Sequence, residues 1–327
     1  MRRGIALIGC SVLVALGAAA PTQAAFPGVP GPIAYSKSTY SEVTGDSGGL
    51  FAHGPSRRQP AHQLTSDPGD SSPSYSADGR MIVFAGNRDP LPPLGSSTFH
   101  IYLMNADGSG VTQLTSGDSY DSNPSFSPNG RQVVFDRAVG FSRESHIFIV
   151  NVDGSGLRQV TDDAGRDSDP TFTPNGRRIV FVSNRDTDAR SDHSDIFSIM
   201  PSGASLRVLI DGPRDEYEPD VSPSGRRIVF TSNRDHGPNI FVAKADGRRV
   251  RALTHSQGSC FRSVCYGSPS WAPDGKHIAF ISSGRYSSGL EVMRADGTQR
   301  KEFDGAGRDS EGYGSAIGAP AWGAKPR

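Results

Sequence analysis

The stretch Pro124-Ser-Phe-Ser-Pro-Asn-Gly-Arg-Gln-Val-Val-Phe135 returns almost unchanged as Pro269-Ser-Trp-Ala-Pro-Asp-Gly-Lys-His-Ile-Ala-Phe280. Each copy reads as two short strands joined at an Asn-Gly or Asp-Gly turn. Those dipeptides favour the positive φ that a tight hairpin needs. Proline opens the first strand, where a missing ladder donor is tolerated best. A third strand follows at Ile147-Phe148 and at Leu290-Glu291. Asp153-Gly154 and Asp296-Gly297 then turn the chain into a fourth strand. Four short strands recurring every roughly 40–50 residues are the signature of propeller blades.

Weaker copies extend the pattern in both directions. The first strand recurs at Pro73-Ser-Tyr75, Pro170-Thr-Phe172, Pro219-Asp-Val221 and Pro320-Ala-Trp322. The second recurs at Ile33-Ala-Tyr35, Ile82-Val-Phe84, Ile179-Val-Phe181 and Ile228-Val-Phe230. The third recurs at Leu50-Phe51, Ile101-Tyr102, Ile196-Phe197 and Ile240-Phe241. The fourth reads Gln63-Leu-Thr65, Gln113-Leu-Thr115, Gln159-Val-Thr161, Val208-Leu-Ile210, Ala252-Leu-Thr254 and Glu302-Phe303. Each class has six members, but the chain begins with the second class and ends with the first. Pro320-Ala-Trp322 must therefore complete the blade begun by Ile33. The expectation is an all-β, six-bladed β-propeller with one-plus-three closure of the first blade, which removes two exposed sheet edges.

Residues 1–25 read as a cleaved secretory signal peptide, and 26–327 as the propeller. Arg2 and Arg3 precede the apolar run Ile5 to Ala20, and Ala24 and Ala25 supply small residues for cleavage. Leu7-Ile8-Gly9-Cys10 resembles a lipobox, but Cys10 stands inside the apolar run. Export to the periplasm, cell surface or medium follows. Lys+Arg and Asp+Glu both number 34, which gives no global field for nucleic acid or an anionic membrane. Cys260 and Cys265 bracket one loop, where a local disulfide fits an oxidising compartment. Two free thiols are the alternative.

The phrase proline, x, aromatic, Ser-Pro-Asp/Asn-Gly-Arg, apolar-apolar-Phe, then Ser-Asn-Arg-Asp, Ile-Phe and Asp-Gly-Ser-Gly resembles the WD40-like PD40 repeat of TolB propellers. The resemblance covers essentially the whole propeller. It implies a periplasmic, partner-docking protein of the Tol–Pal envelope system. Members of that family carry an α/β domain ahead of the propeller. This sequence is expected to lack it, which leaves a stand-alone TolB-like propeller.

Two sets of charges are expected to converge near the channel mouth. Asp70, Asp121, Asp167 and Glu216 precede the strand-opening prolines, with Tyr266 and Ile317 in the remaining repeats. Arg88, Arg137, Arg185, Arg234 and Arg285 follow the second strands. Either each arginine pairs with an acid and ties blades together, or the acids form a funnel for a cation or a basic partner segment. Asp186, Asp188, Asp192 and Asp195 lengthen one loop on the same face. Clustered carboxylates suit calcium, but Arg190 and Phe197 break the EF-hand spacing, so a solvated loop competes. Gly45-Asp-Ser47-Gly-Gly49 copies a serine-protease string without its histidine order, and is a hairpin turn.

The expected function is an exported, non-enzymatic protein–protein interaction module. It would be monomeric and cofactor-free, with an envelope or extracellular protein as partner and no nucleic acid. The alternatives are a hydrolase or lyase with a funnel site, and a calcium-dependent carbohydrate- or ligand-binding propeller.

Overall fold

The computed structural model describes residues 28–39, 47–56, 58–88, 98–139, 144–162, 165–185, 193–235, 237–256, 258, 260, 263–285, 288–306 and 315–325. The expected leader, Asp186, Asp188 and Asp192 lie outside the described residues.

Six antiparallel sheets of four strands each build the molecule. The second to sixth blades open with the innermost strands Ser71–Tyr75, Ser119–Phe126, Asp167–Phe172, Glu216–Val221 and Cys265–Trp271. The first blade joins Pro30–Thr39, Ser47–His53 and His62–Gln63 to Ser315–Ala324 from the far end of the chain. Ile33 pairs with Trp322 and Ala34 with Ala321. The Trp322 indole N–H adds a 3.1 Å bond to the Gly31 carbonyl. The ring closes as its repeats require.

The hairpin turns follow the dipeptide chemistry. Gly79, Gly130, Gly176, Gly225 and Gly275 all take φ between 62° and 69°. The prolines differ from expectation. Each innermost strand begins two to five residues before its proline, as in Glu216–Val221 around Pro219. The residue just before the proline is left-handed: Ser72, Asn123, Asp169, Glu218 and Ser268 have φ of 49° to 54°. The ladder slips there, for example between Tyr217 and Asp220. A bulge accommodates the missing donor, and it turns the preceding side chain away from the ladder.

The core lies between blades. Ala34 and Leu50 of the first blade pack with Tyr75, Ile82 and Phe84 of the second. Ile33 and Tyr35 pack with Ala279, Ile281 and Leu290 of the sixth. Each blade therefore buries its apolar face only against its neighbours, which makes ring closure a condition of stability.

Candidate functional site

The acids and arginines marked by the sequence do meet, in the seams between blades. Asp70, Asp121, Asp167 and Glu216 are at most 1 % exposed. Arg137 grips Asp121 with two N–H groups at 2.6 and 2.7 Å. Arg88 holds Asp70 in the same two-pronged way, with its Nε at 3.0 Å. Arg185 reaches Asp167 at 2.6 Å, and Arg234 reaches Glu216 at 2.5 Å. Each guanidinium lies 5.1–5.7 Å over the two rings of its own second and third strands, such as Phe84 and Tyr102 beneath Arg88. The aromatic ending each second strand is thus a platform for the next cation.

A threonine ties the pair to the preceding blade. The Ile101 N–H donates to the Thr115 hydroxyl at 2.9 Å, and Thr115 donates to Asp121 at 2.5 Å. Thr65, Thr161 and Thr254 accept the equivalent N–H of Leu50, Ile147 and Ile240. His100 Nδ1 lies 3.9 Å from Asp121. Burial raises Asp121, but its bonds to Arg137 and Thr115, with His100 nearby, hold it below the ordinary carboxylate range. Thr115 is thus a brace between blades, a role its position alone did not reveal, whereas the bonds of Thr161 and Thr254 run within one blade.

The pattern changes elsewhere around the ring. Where the fifth blade begins, Val208-Leu-Ile-Asp211 carries no threonine. Glu216 Oε2 is buried without a hydrogen-bond partner. Burial first, and Asp195 nearby, push Glu216 up to about 7. In the sixth blade the expected cation, Arg285, is exposed. Arg300 lies over the Phe280 ring instead, donating to Glu291 at 2.6 Å and to the Tyr266 hydroxyl at 2.8 Å. The reason is chemical: this repeat has Tyr266 in place of the opening acid, and its acid, Glu291, comes from the third strand. In the first blade, Tyr35 and Lys37 share Asp304.

The bulge brings a second set of carboxylates to the channel. Asp169 and Glu218 stand half-buried on consecutive innermost strands. The Glu218 N–H donates to Asp169 at 3.3 Å, and the Ser268 N–H and hydroxyl donate to Glu218 at 2.6 and 2.8 Å. Buried Asp136 lies beneath, accepting from Ser122, Asn123 and the Asp169 N–H. Burial, then Asp136 and Glu218, push Asp169 up to about 7, and burial pushes Asp136 up to about 6. Displaced pKa values on neighbouring carboxylates in a cleft mark a candidate site. The sequence signal is a polar residue immediately before the strand proline in five of six repeats. Further along, a cavity of about 180 Å³ is lined by Tyr75, Phe126, Asp220 and Trp271. Burial pushes Asp220 up to about 7.

Of the lengthened loop, Asp195 falls among the described residues. Its carboxylate, His193 and Asp211 place one ligand atom each within 4.8 Å of one another. Cys260 and Cys265 form a disulfide with Cα atoms 5.1 Å apart. Ser47 begins the second strand of the first blade, opposite Thr39. Gly49 beside it has φ 135°, and a Cβ there would lie 2.1 Å from the Thr65 carbonyl.

Among the described residues, no helix is long and apolar enough to cross a membrane. The family model of the TolB β-propeller domain matches residues 137–323, more than half of the chain. No curated protein matches the sequence. Among solved structures, TolB from Acinetobacter baumannii is 18 % identical with a TM-score of 0.68, covering 90 % of this chain and 67 % of that one. A putative TolB from Agrobacterium tumefaciens is 17 % identical with a TM-score of 0.64, covering 90 % and 99 %. The hydrazine synthase of Kuenenia stuttgartiensis is 15 % identical with a TM-score of 0.69, covering 92 % and 48 %.

Proposed function

This chain belongs to the family of TolB β-propeller domains, and from that premise we propose that it is an exported, non-enzymatic module holding a partner protein on the acid-rich face of its propeller. A similar propeller forms part of a hydrazine synthase, so the reading rests on the site and not on the fold. One observation carries it. Asp169 and Glu218 sit on adjacent strands of the channel wall, and the hydrogen bonds they accept come from backbone N–H groups and hydroxyls. A lysine or arginine of a partner, reaching in from that face, would supply the positive charge that favours their ionised form. The seam arginines border the same face. Arg88 and Arg234 are the most open, with side chains 26 % and 19 % exposed.

The test places a photo-crosslinking residue at Asp118 or Asp235 on this face, or at Arg131 on the opposite one, in growing cells. The expected result is one protein species linked from Asp118 and Asp235, with the chain exported and processed after Ala25. Links from Arg131 alone, or an unprocessed chain held in the cytosol, would overturn the reading.

The His193–Asp195–Asp211 group favours a second reading, in which a divalent cation such as calcium supports ligand binding. A rise in Tm with calcium that disappears in Asp195→Asn would support it. No change in Tm would remove it.

A further inference from the structure

The chain carries as many acidic as basic residues, yet the fold sorts them by face. The hairpins joining first and second strands place Arg80, Arg131, Arg177, Arg226 and Lys276 just after the turn glycine, and all five are exposed. From the third blade to the sixth, successive turns touch. A Cβ on Gly176 would lie 3.6 Å from Pro128, and Cβ atoms on Gly225 and Gly275 3.8 Å from Pro174 and Pro223. The five cations therefore form an arc around one mouth of the channel.

The turns between third and fourth strands share that face. Ala106, Val152, Ala245 and Ala295 donate their N–H groups to the carbonyls of Arg80, Arg131, Arg226 and Lys276. Beyond them Arg158, Arg207, Arg248, Arg249 and Arg251 stand exposed. The acids of these turns are Asp78, Asp107, Asp153, Asp246, Asp274 and Asp296. Each accepts the N–H two residues on, so they serve the turns and are outnumbered. The opposite face presents Asp118, Glu144, Asp162, Asp211 and Asp235 to solvent, against the exposed Arg166, Arg214 and Arg285. A zero total thus conceals opposite fields on the two faces.

Apolar side chains stand among the cations. Leu157, Met200 and Leu206 are 44 %, 40 % and 38 % exposed. Met200 belongs to the turn that closes on Ala204, and Arg178 reaches from the neighbouring hairpin to the Ser205 carbonyl.

We propose that this basic face docks on an anionic lipid surface. Its cations meet the negative headgroups, while Leu157, Met200 and Leu206 enter the boundary with the acyl chains. Two features select lipid over an acidic protein. The cations spread across a broad face of repeated turns instead of lining one groove, and exposed aliphatic groups lie between them. Docked this way, the acid-rich face points away from the lipid, open to a protein partner.

Flotation of the purified protein with vesicles tests this. The probes are phosphatidylcholine alone and phosphatidylcholine mixed with phosphatidylglycerol. Binding to the mixed vesicles at low salt is expected to be at least about tenfold tighter than to the neutral ones, and to weaken as salt rises. Arg131→Glu, Arg177→Glu and Arg226→Glu together should abolish it with Tm unchanged, since all three are exposed. Leu157→Ser with Leu206→Ser should weaken it several-fold while keeping the salt dependence. Asp118→Asn with Asp162→Asn, on the other face, should leave it intact. No binding to either vesicle, equal binding to both, or binding untouched by the triple charge reversal would each overturn the proposal.

Discussion

Asp121 and Glu216 occupy the same place in their repeats, each buried at the start of an innermost strand and facing an arginine of its own blade. They hold their protons in opposite senses. Asp121 receives two N–H groups and the Thr115 hydroxyl, and stays ionised below its ordinary range. Glu216 receives Arg234 on one oxygen, keeps the other without a hydrogen bond, and rises to about 7. A buried ion pair stabilises only when its remaining lone pairs are satisfied. Between these two seams the difference is the second guanidinium N–H and the threonine hydroxyl, which Asp121 receives and Glu216 does not.

The contrast can be broken from the Asp121 side. Asp121→Ala removes the partner of a buried arginine and should cost about 3–5 kcal/mol, read by denaturant unfolding. Thr115→Val spares the ion pair but leaves the Ile101 N–H and an Asp121 lone pair unmet, and should cost about 1–2 kcal/mol. A loss as small as that of an exposed substitution would deny the threonine its role as a brace.

From the Glu216 side the effect should be smaller and of opposite sign. The folded-state pKa lies above the unfolded one, so the folded protein binds the proton more tightly. That contribution is complete below about pH 4 and is lost as pH rises towards 7. Glu216→Gln should therefore leave stability nearly unchanged at pH 4 and raise it by about 1–2 kcal/mol at pH 8. Destabilisation at pH 8 comparable to Asp121→Ala would erase the distinction between the two seams.

Much of this was legible beforehand. Asp-Gly and Asn-Gly fixed the hairpins, and the order of strand classes required Trp322 to return to Ile33. The acid–arginine pairing was readable because both residues recur at constant offsets from the same strand. Three things were not. The bulge before each proline turns the side chain there away from the ladder, so constant offsets point to Asp167 and Glu216, and Asp169 and Glu218, two residues on, emerge only with the fold. In the sixth blade, Arg300 stands over Phe280 where Arg285 was expected, because its acid moved to the third strand and only the folded pairing shows this. The opposed faces were hidden by a total charge of zero, since a sum carries no positions.

On this reading the seam carboxylates are scaffold and the channel carboxylates meet the partner. The most direct measurement reads Tm and crosslinked partner capture together on Asp121→Asn and Asp169→Asn at pH 8. Asp169 rises to about 7, so neutralising it should raise Tm while capture falls at least about tenfold with the loss of a partner cation's charge. Asp121→Asn should lower Tm and leave the capture by folded protein unchanged. Capture lost with Asp121→Asn and retained with Asp169→Asn would contradict the account.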